Sequence, residues 1–537
     1  MSSSPSSPLA TERAALFAAL DAAPAFDIAI VGGGATGLGV AVDAASRGLR
    51  TLLVESHDFA KGTSSRATKL VHGGVRYLAQ GNVGLVREAL HERTTLLHNA
   101  PHLAQPLAFV MPCYALWEGP FYGAGLKAYD LLAGDAGLGS TRFLSRTSVL
   151  SALPNIRQQG LKGGVLYWDG QFDDARLALA LARTAARHGA LVLNYCAATG
   201  LVHEGGKVVG LTLQDHETGT VHTVHTVRAG CVVNATGVWV DQLRAQDAQA
   251  LAKPVTPIVA PSQGVHAVVD RSFMPTDHAL LVPKTADGRV LFAVPWLGKL
   301  ILGTTDTPRQ DLPYEPRPFA EELDFILRES ARYLARPPAR ADILSCWVGL
   351  RPLVKPSGDE AAATKKISRE HTVQVSGSGL VTVTGGKWTT YRAMAEDVLQ
   401  QCDDRGLLPA HAACRTQRLR LVGADDRLPQ DRLPLSAPQG AQGYGSDWPA
   451  VRALPGSERM LGSGVNEAMV RFAVRHEYAR TVEDVLARRV RLLFLDARQA
   501  GALAPAVAAI LADEGCPAPD AQGFAALAEA YLPDRAV

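Results

Sequence analysis

The chain has 537 residues, 47% of them hydrophobic and 20% charged, a composition typical of a globular protein with two or three domains. Its formal net charge is only +2, which argues against a nucleic-acid-binding protein because such proteins carry strongly basic surfaces. The seven cysteines are scattered without a CxxC pair, and no apolar run reaches about 18 residues, so we expect no metal site, no disulfide framework and no transmembrane segment.

The beginning of the chain, residues 1–25, predicts a Ser/Pro-rich tail followed by a short helix. It lacks the basic start and uninterrupted apolar core of a secretory signal, because acidic residues interrupt its apolar part. Together with the unpaired cysteines, this favours a reducing compartment.

The stretch from Phe26 to Glu55, "FDIAIVGGGATGLGVAVDAASRGLRTLLVE", predicts a strand, a glycine turn, a helix and a second strand. Gly32, Gly34 and Gly37 have GxGxxG spacing, and Glu55 ends the second strand 18 residues after Gly37. Such glycines allow a tight turn, a close approach of backbone to a pyrophosphate, and close packing of helix on strand, while the acid accepts hydrogen bonds from a ribose. The spacing therefore predicts a dinucleotide site.

Positive charge without acidic residues marks the next stretch, "TSSRATKLVHGGVRYL". From Phe59 to Arg87 there are five Lys or Arg residues and no Asp or Glu. Guanidinium and ammonium groups beside glycine turns are suited to binding a small anion such as a phosphate. We expect Arg66 and Lys69 to serve either as cofactor contacts or as structural residues.

The segment from Pro106 to Leu132 is apolar and contains six aromatic residues. Aromatic residues of this kind are common where a protein contacts a membrane interface. The same pattern also fits an ordinary buried segment, and the sequence leaves both interpretations open.

The middle of the chain, about residues 160 to 390, is dominated by predicted strands, among them two joined by a turn at Leu297-Gly298. This favours a second, antiparallel-sheet domain inserted into the nucleotide-binding one. Residues 403–447 have the composition of a linker, and residues 448–537 have helical spacing with a capping-box pattern at Thr481 and Asp484.

Several of these stretches, in this order, resemble the FAD-dependent glycerol-3-phosphate dehydrogenases: the glycine-rich unit, "GTSSRATKLVHGGVRYL", "VNATGVWVD", "GTTD", "GLRPL", "GGKWTTYR" and "RHEYARTVEDVLARRVRLLFLD". The resemblance runs from about Phe26 to the end of the chain. It implies an α/β fold: a glutathione-reductase-like, Rossmann-type FAD-binding domain, an inserted substrate domain resembling that of D-amino-acid oxidase, and a C-terminal helical domain. The FAD-binding segments are expected at about 26–110, 160–240 and 340–402 of the 26–402 region, with substrate-domain segments between them, mainly 241–340.

The resemblance also implies which residues line the site. The substrate-site set comprises His72, Arg76, His266, Arg351 and Lys387. The expected cofactor-binding set comprises Gly32, Gly34, Ala35, Thr36, Gly37, Glu55, Thr63, Ser64, Ser65, Lys69, Leu70, His72, Gly73, Gly74, Ala197, Thr236, Gly237, Gly386, Lys387, Trp388 and Thr389.

These site residues also have plain structural alternatives. The sequence fits equally well an Arg351 that bridges a carboxylate and a Lys387 that caps a helix or faces solvent. Gln263 departs from the pattern, because many relatives carry a lysine before the glycine of "SQGVH", and this departure suggests one charge fewer near the substrate pocket.

The implied reaction is oxidation of glycerol 3-phosphate to dihydroxyacetone phosphate, with hydride transfer to the N5 atom of FAD and a histidine as the base. His266 and His72 are both candidates, and the sequence does not choose between them. The resemblance further implies electron transfer to a membrane quinone, peripheral attachment to the inner face of the cytoplasmic membrane from the cytoplasm, and allows a homodimer. The alternatives are a soluble oxidase using O2, an amino-acid or amine oxidase of the same fold, and a flavin-binding protein without turnover.

Overall fold

The fold was analysed in a computed structural model, which describes residues 9–74, 82–217, 224–286, 288–355, 370–424 and 433–536. The strands are β1 Phe26–Val31, β2 Thr51–Val54, β3 Leu70–Val71, β4 Ala104–Cys113, β5 Arg142–Ser145, β6 Gly163–Phe172, β7 Leu191–Leu193, β8 Cys196–Glu204, β9 Lys207–Asp215, β10 Val224–Asn234, β11 Val259–Asp270, β12 Ala279–Val282, β13 Leu291–Trp296, β14 Lys299–Gly303, β15 Thr307–Pro308, β16 Ile343–Val354, β17 His371–Val375, β18 Val381–Gly385, β19 Met460–Gly462 and β20 Val465–Asn466. The helices are α1 Arg13–Ala22, α2 Ala35–Ser46, α3 Val83–Asn99, α4 Glu118–Ala133, α5 Arg146–Ala152, α6 Asp174–Arg187, α7 Val240–Ala250, α8 Ala320–Ala331, α9 Tyr391–Asp404, α10 Trp448–Arg452, α11 Glu467–His476, α12 Leu492–Leu495, α13 Ala497–Asp513 and α14 Ala521–Ala530.

The first sheet is parallel at its centre and contains the predicted strand–turn–helix unit. Its order is β17-β18-β10-β1-β2-β7, with parallel pairing of β18 to β10, β10 to β1, β1 to β2 and β2 to β7. Helices α2, α6 and α9 form one core with this sheet through residues such as Leu38, Leu177 and Val398. The predicted Rossmann-type unit is confirmed, because near-continuous apolar strands of this kind are buried on both faces.

The second sheet is mainly antiparallel and, within the residues that the structure describes, has ten strands. Its order is β15-β11-β14-β13-β12-β4-β6-β3, with β16 paired to β11 and β5 paired to β6. The expected second sheet domain is therefore present. However, β4, β6 and β16 lie in segments that we had expected to belong to the FAD-binding part. A strand pattern shows that a segment is extended, but its pairing partner lies far away in the chain and is not encoded locally.

The C-terminal helices cover one face of this second sheet. Phe494 packs edge-on against Trp347 of β16, with ring centroids 5.2 Å apart, and α13 joins the same core. The predicted capping box is confirmed: the Thr481 backbone N–H donates to the Asp484 carboxylate and the Asp484 N–H donates to the Thr481 hydroxyl. The element that it begins, Asp484–Arg489, is a π-helix rather than the continuation of one long α-helix.

The region expected to be a linker is packed onto the rest of the protein. Leu421, Val422, Leu435 and Tyr444, from its described parts, are all buried. Within the residues that the structure describes, no helix is both long enough and apolar enough to cross a bilayer.

Candidate active site

Four of the predicted cofactor motifs follow the carboxyl ends of neighbouring parallel strands. The glycine turn follows β1, Glu55 follows β2, Thr236 and Gly237 follow β10, and Gly386 lies one residue after β18. Carboxyl ends of adjacent parallel strands meet at one edge of a sheet, which is where open α/β folds bind their ligands. The structure thus gathers these residues at a single crevice.

The first turn of this crevice requires glycine. Gly32 has a φ of +114°, and a Cβ atom there would lie 2.6 Å from the carbonyl oxygen of Ala235. A Cβ atom at Gly37 would lie 2.0 Å from the carbonyl oxygen of Gly32, so α2 packs directly against the turn. Side chains at either position are excluded sterically, as the GxGxxG spacing predicts.

The N-terminus of α2 opens toward the crevice. Its N-cap residue is Gly34, which provides no capping side chain. A Cβ atom at Gly34 would meet only the Ser64 hydroxyl, at 3.1 Å, and the N–H of Ala35 donates to that hydroxyl at 2.9 Å. Thr36 lies in the first turn of the same helix. A helix N-terminus with open space before it favours binding of a phosphate group.

The Glu55 carboxylate is held in place at the end of β2. One oxygen accepts from the Gly33 N–H at 2.7 Å, and the other accepts from the His57 N–H at 2.9 Å and the Ser56 hydroxyl at 3.1 Å. A fixed carboxylate beside the glycine turn fits a ribose hydroxyl. Gly34 and Gly237 also leave room for a ligand, because a Cβ atom at Gly237 would have no neighbour within 4 Å among the described residues. The residues present therefore fit FAD.

The segment Thr63–Ser65 is a short 3-10 turn that joins the two sheets. The Thr63 hydroxyl donates to the carbonyl oxygen of Leu350 in β16 at 2.5 Å, and the carbonyl oxygen of Ser64 accepts from the Trp388 indole at 2.9 Å. The expected cofactor residues at Thr63 and Ser64 thus use their polar groups partly to connect the nucleotide-binding crevice with the second sheet.

Arg66 and Lys69, the two basic residues that follow this turn, are both buried inside the protein. Lys69 is fully buried and donates to Asp174 at 2.7 Å and to the carbonyl oxygen of Ser65 at 2.8 Å. Burial lowers the pKa of Lys69 to about 7, while Asp174 opposes that shift. Arg66 pairs with Glu315 at 2.7 Å. Of the two roles expected for Arg66 and Lys69, this geometry supports the structural one.

His266 lies in β11, and its ring is 2% exposed. Its Nε2 atom shares a hydrogen bond with the Thr68 hydroxyl at 2.9 Å, and its ring stacks on Trp347 at 5.3 Å between centroids. The Nδ1 atom is buried without a hydrogen-bond partner among the described residues. Burial, reinforced by the charges of Lys69 and Arg351, lowers the pKa of His266 well below 6.5, so the ring is neutral at neutral pH.

Arg351 lies in β16, opposite Ser262 in β11. Its guanidinium contacts Asp306 at 3.1 Å and Thr304 at 3.2 Å, and it donates to two backbone carbonyl groups. A Cβ atom at Gly264 would lie 2.2 Å from Arg351 Nη2. The glycine therefore makes room for the guanidinium on the same face of the sheet as His266, which is two residues further along β11.

Gln263 lies on the other face of β11. Side chains alternate along a strand, so Gln263 points to the face opposite that of Ser262 and His266. It is fully buried, donates to Glu322 at 2.5 Å and accepts from Arg309 at 2.6 Å. A lysine at this position would therefore start from the face opposite Arg351, and its expected effect on the pocket stays a prediction.

The remaining predicted residues occupy several places. The N–H of His72 donates to the Thr389 hydroxyl at 3.2 Å, which joins the segment after β3 to the turn after β18. Lys387 follows Gly386 and begins that turn. Arg76 lies outside the described residues.

The other cofactor candidates around β3 and β8 are less directly connected to the crevice. The N–H of Gly73 donates to the Tyr129 hydroxyl at 2.9 Å. Leu70 and Ala197 are buried in β3 and β8. Gly74 follows Gly73 with a positive φ of 79°. Their assignment as cofactor contacts stays a prediction.

Three partner residues were missed from the sequence: Thr68, which bonds His266; Asp306, which bonds Arg351; and Asp174, which holds Lys69. Thr68 and Asp306 lie inside the family motifs quoted above, so their positions in those motifs could have identified both residues. Asp174 lies in no such motif, and its partner is 105 residues away.

The chain is similar to known proteins over most of its length. The family model described as FAD dependent oxidoreductase matches residues 27–392, and the one described as C-terminal domain of alpha-glycerophosphate oxidase matches residues 414–515. The mitochondrial glycerol-3-phosphate dehydrogenase of Mus musculus is 42% identical over 540 residues, which cover 94% of this chain and 72% of that protein. The mitochondrial glycerol-3-phosphate dehydrogenase SDP6 of Arabidopsis thaliana is 38% identical over 544 residues, covering 94% and 85%.

A solved structure extends the likeness to the whole fold. The glycerol-3-phosphate dehydrogenase from Bacillus halodurans, described as complexed with FAD, superposes with a TM-score of 0.75 at 30% identity. The match covers 97% of each chain. The C-terminal helices are therefore part of the shared architecture.

Proposed function

This chain belongs to the FAD-dependent glycerol-3-phosphate dehydrogenase family, and we propose that it oxidises sn-glycerol 3-phosphate to dihydroxyacetone phosphate. The secondary alcohol loses a hydride from its carbinol carbon and a proton from its hydroxyl group, which leaves a ketone. Bound FAD supplies the hydride acceptor. The protein binds the phosphate, orients the alcohol and takes the proton.

The observation that carries this proposal is the juxtaposition of Arg351 and His266 on one face of the second sheet. Gly264 makes room for the guanidinium, and Thr68 holds the imidazole from the segment that crosses from the nucleotide-binding crevice. A guanidinium offers paired donors to a phosphate, and a neutral imidazole accepts a proton. Together they suit a small phosphorylated alcohol.

His266 is the base that the geometry favours. Its low pKa keeps the ring neutral at neutral pH, and Thr68 fixes the ring orientation. His72 is the other candidate. Steady-state kinetics of His266→Ala and His72→Ala distinguish them: the base variant should lose kcat by about 100-fold or more. Equal and mild losses in both variants would contradict a histidine base.

Lys387 and Arg76 complete the proposed site. Lys387, which follows the glycine pair after β18, is assigned to polarising a flavin or substrate oxygen. Arg76 is assigned to the phosphate or alkoxide through its place in the family motif "GGVRYL".

An anaerobic titration tests the reaction directly. Glycerol 3-phosphate should bleach the flavin absorbance of the purified protein, whereas a D-amino acid should leave it unchanged. Arg351→Met should require a much higher glycerol 3-phosphate concentration for bleaching, and Arg228→Met, a control at an exposed surface pair, should behave like the wild type. Bleaching by the amino acid alone would identify an amino-acid oxidase instead, and no bleaching by either would indicate a flavoprotein without turnover on these substrates.

The electron acceptor is proposed to be a membrane quinone, reached from the cytoplasmic face. Large apolar side chains are exposed at and beside α4, including Leu116 at 81%, Trp117 at 60%, Phe121 at 66% and Leu131 at 84%. They come from the segment that the sequence assigned either to a membrane interface or to the interior. An exposed apolar cluster with aromatic residues favours the interface.

Oxygen is the alternative acceptor, because the C-terminal region matches a family model named for a glycerophosphate oxidase. Turnover with a quinone analogue should exceed turnover with O2 if the proposal is correct. The protein should also sediment with lipid vesicles, and the double variant Trp117→Ser/Phe121→Ser should weaken that binding. Met460→Ser, which replaces another exposed apolar residue, should not. Faster turnover with O2 and no vesicle binding would identify a soluble oxidase.

A further inference from the structure

A strap of residues 309–319 joins β15 to α8 and crosses from the second sheet toward the nucleotide-binding crevice. It contains three prolines, and one side of it borders a cavity of about 470 Å³ lined by Arg309, Leu312 and Pro261. The contacts that hold the strap in place are made mainly by Leu312, Tyr314 and Glu315.

Tyr314 provides the central contact of the strap. Its ring stacks on Trp239 with centroids 4.7 Å apart and planes at 23°, and it lies 4.5 Å from the His57 ring. His57 is two residues after Glu55, and Trp239 is two residues after Gly237. One side chain from the substrate domain therefore touches the ends of two cofactor motifs that follow different strands of the first sheet.

Polar contacts fix the strap on either side of this ring. The Trp239 indole donates to the carbonyl oxygen of Leu312 at 3.1 Å, and Arg66 donates to the carbonyl oxygen of Tyr314 at 3.2 Å. Glu315 pairs with Lys61 at 2.6 Å and with Arg66 at 2.7 Å. Lys61 and Arg66 flank the Thr63–Ser65 turn, so the strap is bound to the same segment that connects the two sheets.

We propose that this strap closes the adenosine end of the FAD crevice and that Tyr314 is a cofactor-retaining residue supplied by the substrate domain. Glu55, the residue suited to the ribose, is fixed through the His57 N–H, next to the ring that Tyr314 contacts. Tyr314 is still 43% exposed, as expected of a side chain that covers a crevice rather than filling a core. The proposal concerns FAD and does not depend on the identity of the substrate.

The test is the rate at which the holoenzyme releases FAD, followed by the rise in flavin fluorescence after dilution. Tyr314→Ala should release FAD about tenfold faster, because a ring stack of this size is removed. Tyr314→Phe keeps the ring and should release FAD at the wild-type rate. Tyr333→Ala, which removes a half-buried tyrosine elsewhere in the same domain, should also leave the rate unchanged.

The stability of the apoprotein distinguishes an effect of Tyr314 on FAD retention from an effect on folding. Tyr314→Ala should lower the melting temperature of the holoprotein more than that of the apoprotein, because only the holoprotein also loses part of the stabilisation that FAD gives. If Tyr314→Ala does not fold, Tyr314→Leu, which keeps apolar bulk without a ring, should show the same faster release. Wild-type release rates in both Tyr314→Ala and Tyr314→Leu would overturn the proposal, and so would equally fast release from Tyr314→Phe.

Discussion

Two groups of basic residues lie around the Thr63–Ser65 turn, which connects the two sheets. The two groups differ in the acidic and neutral partners that they contact. Lys69 and Arg491 are fully buried and share Asp174, at 2.7 and 2.9 Å. Arg351 contacts the Asp306 carboxylate at 3.1 Å and also donates to the Thr304 hydroxyl and to two backbone carbonyl groups. The first group holds the segment in place, and Arg351 is the cation that we propose to bind the substrate. A run of cations without acids in the sequence therefore does not identify an anion site by itself.

The buried group also explains how the C-terminal domain contributes to the site. Arg491 lies between the π-helix and α12, and it donates to the carbonyl oxygen of Ser65 at 2.7 Å as well as to Asp174. Asp174 in turn accepts from the N–H of Ala67, which precedes Thr68, the partner of His266. The C-terminal helices thereby help to position the hydroxyl group that orients the candidate base.

The largest loss of stability should follow from replacing Asp174, the acid that Lys69 and Arg491 share. Asp174→Asn removes the acid that Lys69 and Arg491 share and leaves Arg491 with Asp173 at 3.5 Å, and breaking a buried ion cluster in this way costs about 3–5 kcal/mol. We expect the melting temperature to fall by at least about 5 °C. Glu204→Gln is the control: its partner Arg228 is exposed, and no change in melting temperature is expected. Unchanged stability of Asp174→Asn would remove the distinction between the two groups.

Arg351 should show the opposite behaviour. Arg351→Met should lower kcat/KM for glycerol 3-phosphate by about 30-fold or more, because a charged contact to the phosphate is lost. Arg66→Met, which breaks the pair with Glu315, should lower the melting temperature but leave KM unchanged. Steady-state kinetics and thermal melting of both variants show whether each arginine acts in substrate binding or in stability. A large KM effect in Arg66→Met would place that residue in the second group.

The local parts of this arrangement follow from the sequence, and the long-range parts do not. The GxGxxG unit spans about thirty residues, so spacing alone predicts its strand, turn and helix. Lys69 and Arg66 find their acids 105 and 249 residues away, and no local pattern indicates such pairs. Gln263 is a different case. The alternation of side chains along β11 is sufficient to place Gln263 on the face opposite His266, whereas the family motif indicates only that a charge is missing at this position.

The pH dependence of activity should show the effect of the Lys69 charge on His266. His266 has a pKa below 6.5, so its neutral form persists down to lower pH and the acid limb of kcat/KM should lie below pH 6.5. Lys69 contributes to that lowering by its positive charge, and Lys69→Met should therefore move the acid limb upward. Lys299→Met, on the same sheet but paired with Asp270 at the surface, should leave it in place. A limb that does not move would argue against His266 as the titrating base.

The same depressed pKa also makes a prediction for stability. Below pH 6.5 the unfolded chain binds a proton at this histidine that the folded protein does not, so the contribution of His266 to stability is present above pH 6.5 and is lost as the pH falls. His266→Gln should therefore flatten part of the acid side of the melting-temperature profile. A profile of unchanged slope would indicate that His266 is protonated in the folded protein.

The smallest effect should come from restoring the lysine that many relatives have. Gln263→Lys places an ammonium next to Glu322, on the opposite face of β11 from Arg351, so KM for glycerol 3-phosphate should change by less than about twofold. The Arg351 contact to residue 263 uses the backbone carbonyl, which the substitution keeps. Because Arg309 donates to the Gln263 side chain, the new charge meets one acid and one cation, and any cost should be seen in the melting temperature. A fall in KM of fivefold or more would mean that position 263 does act on the substrate face, and the division between structural and substrate-facing cations would have to be redrawn across the strand.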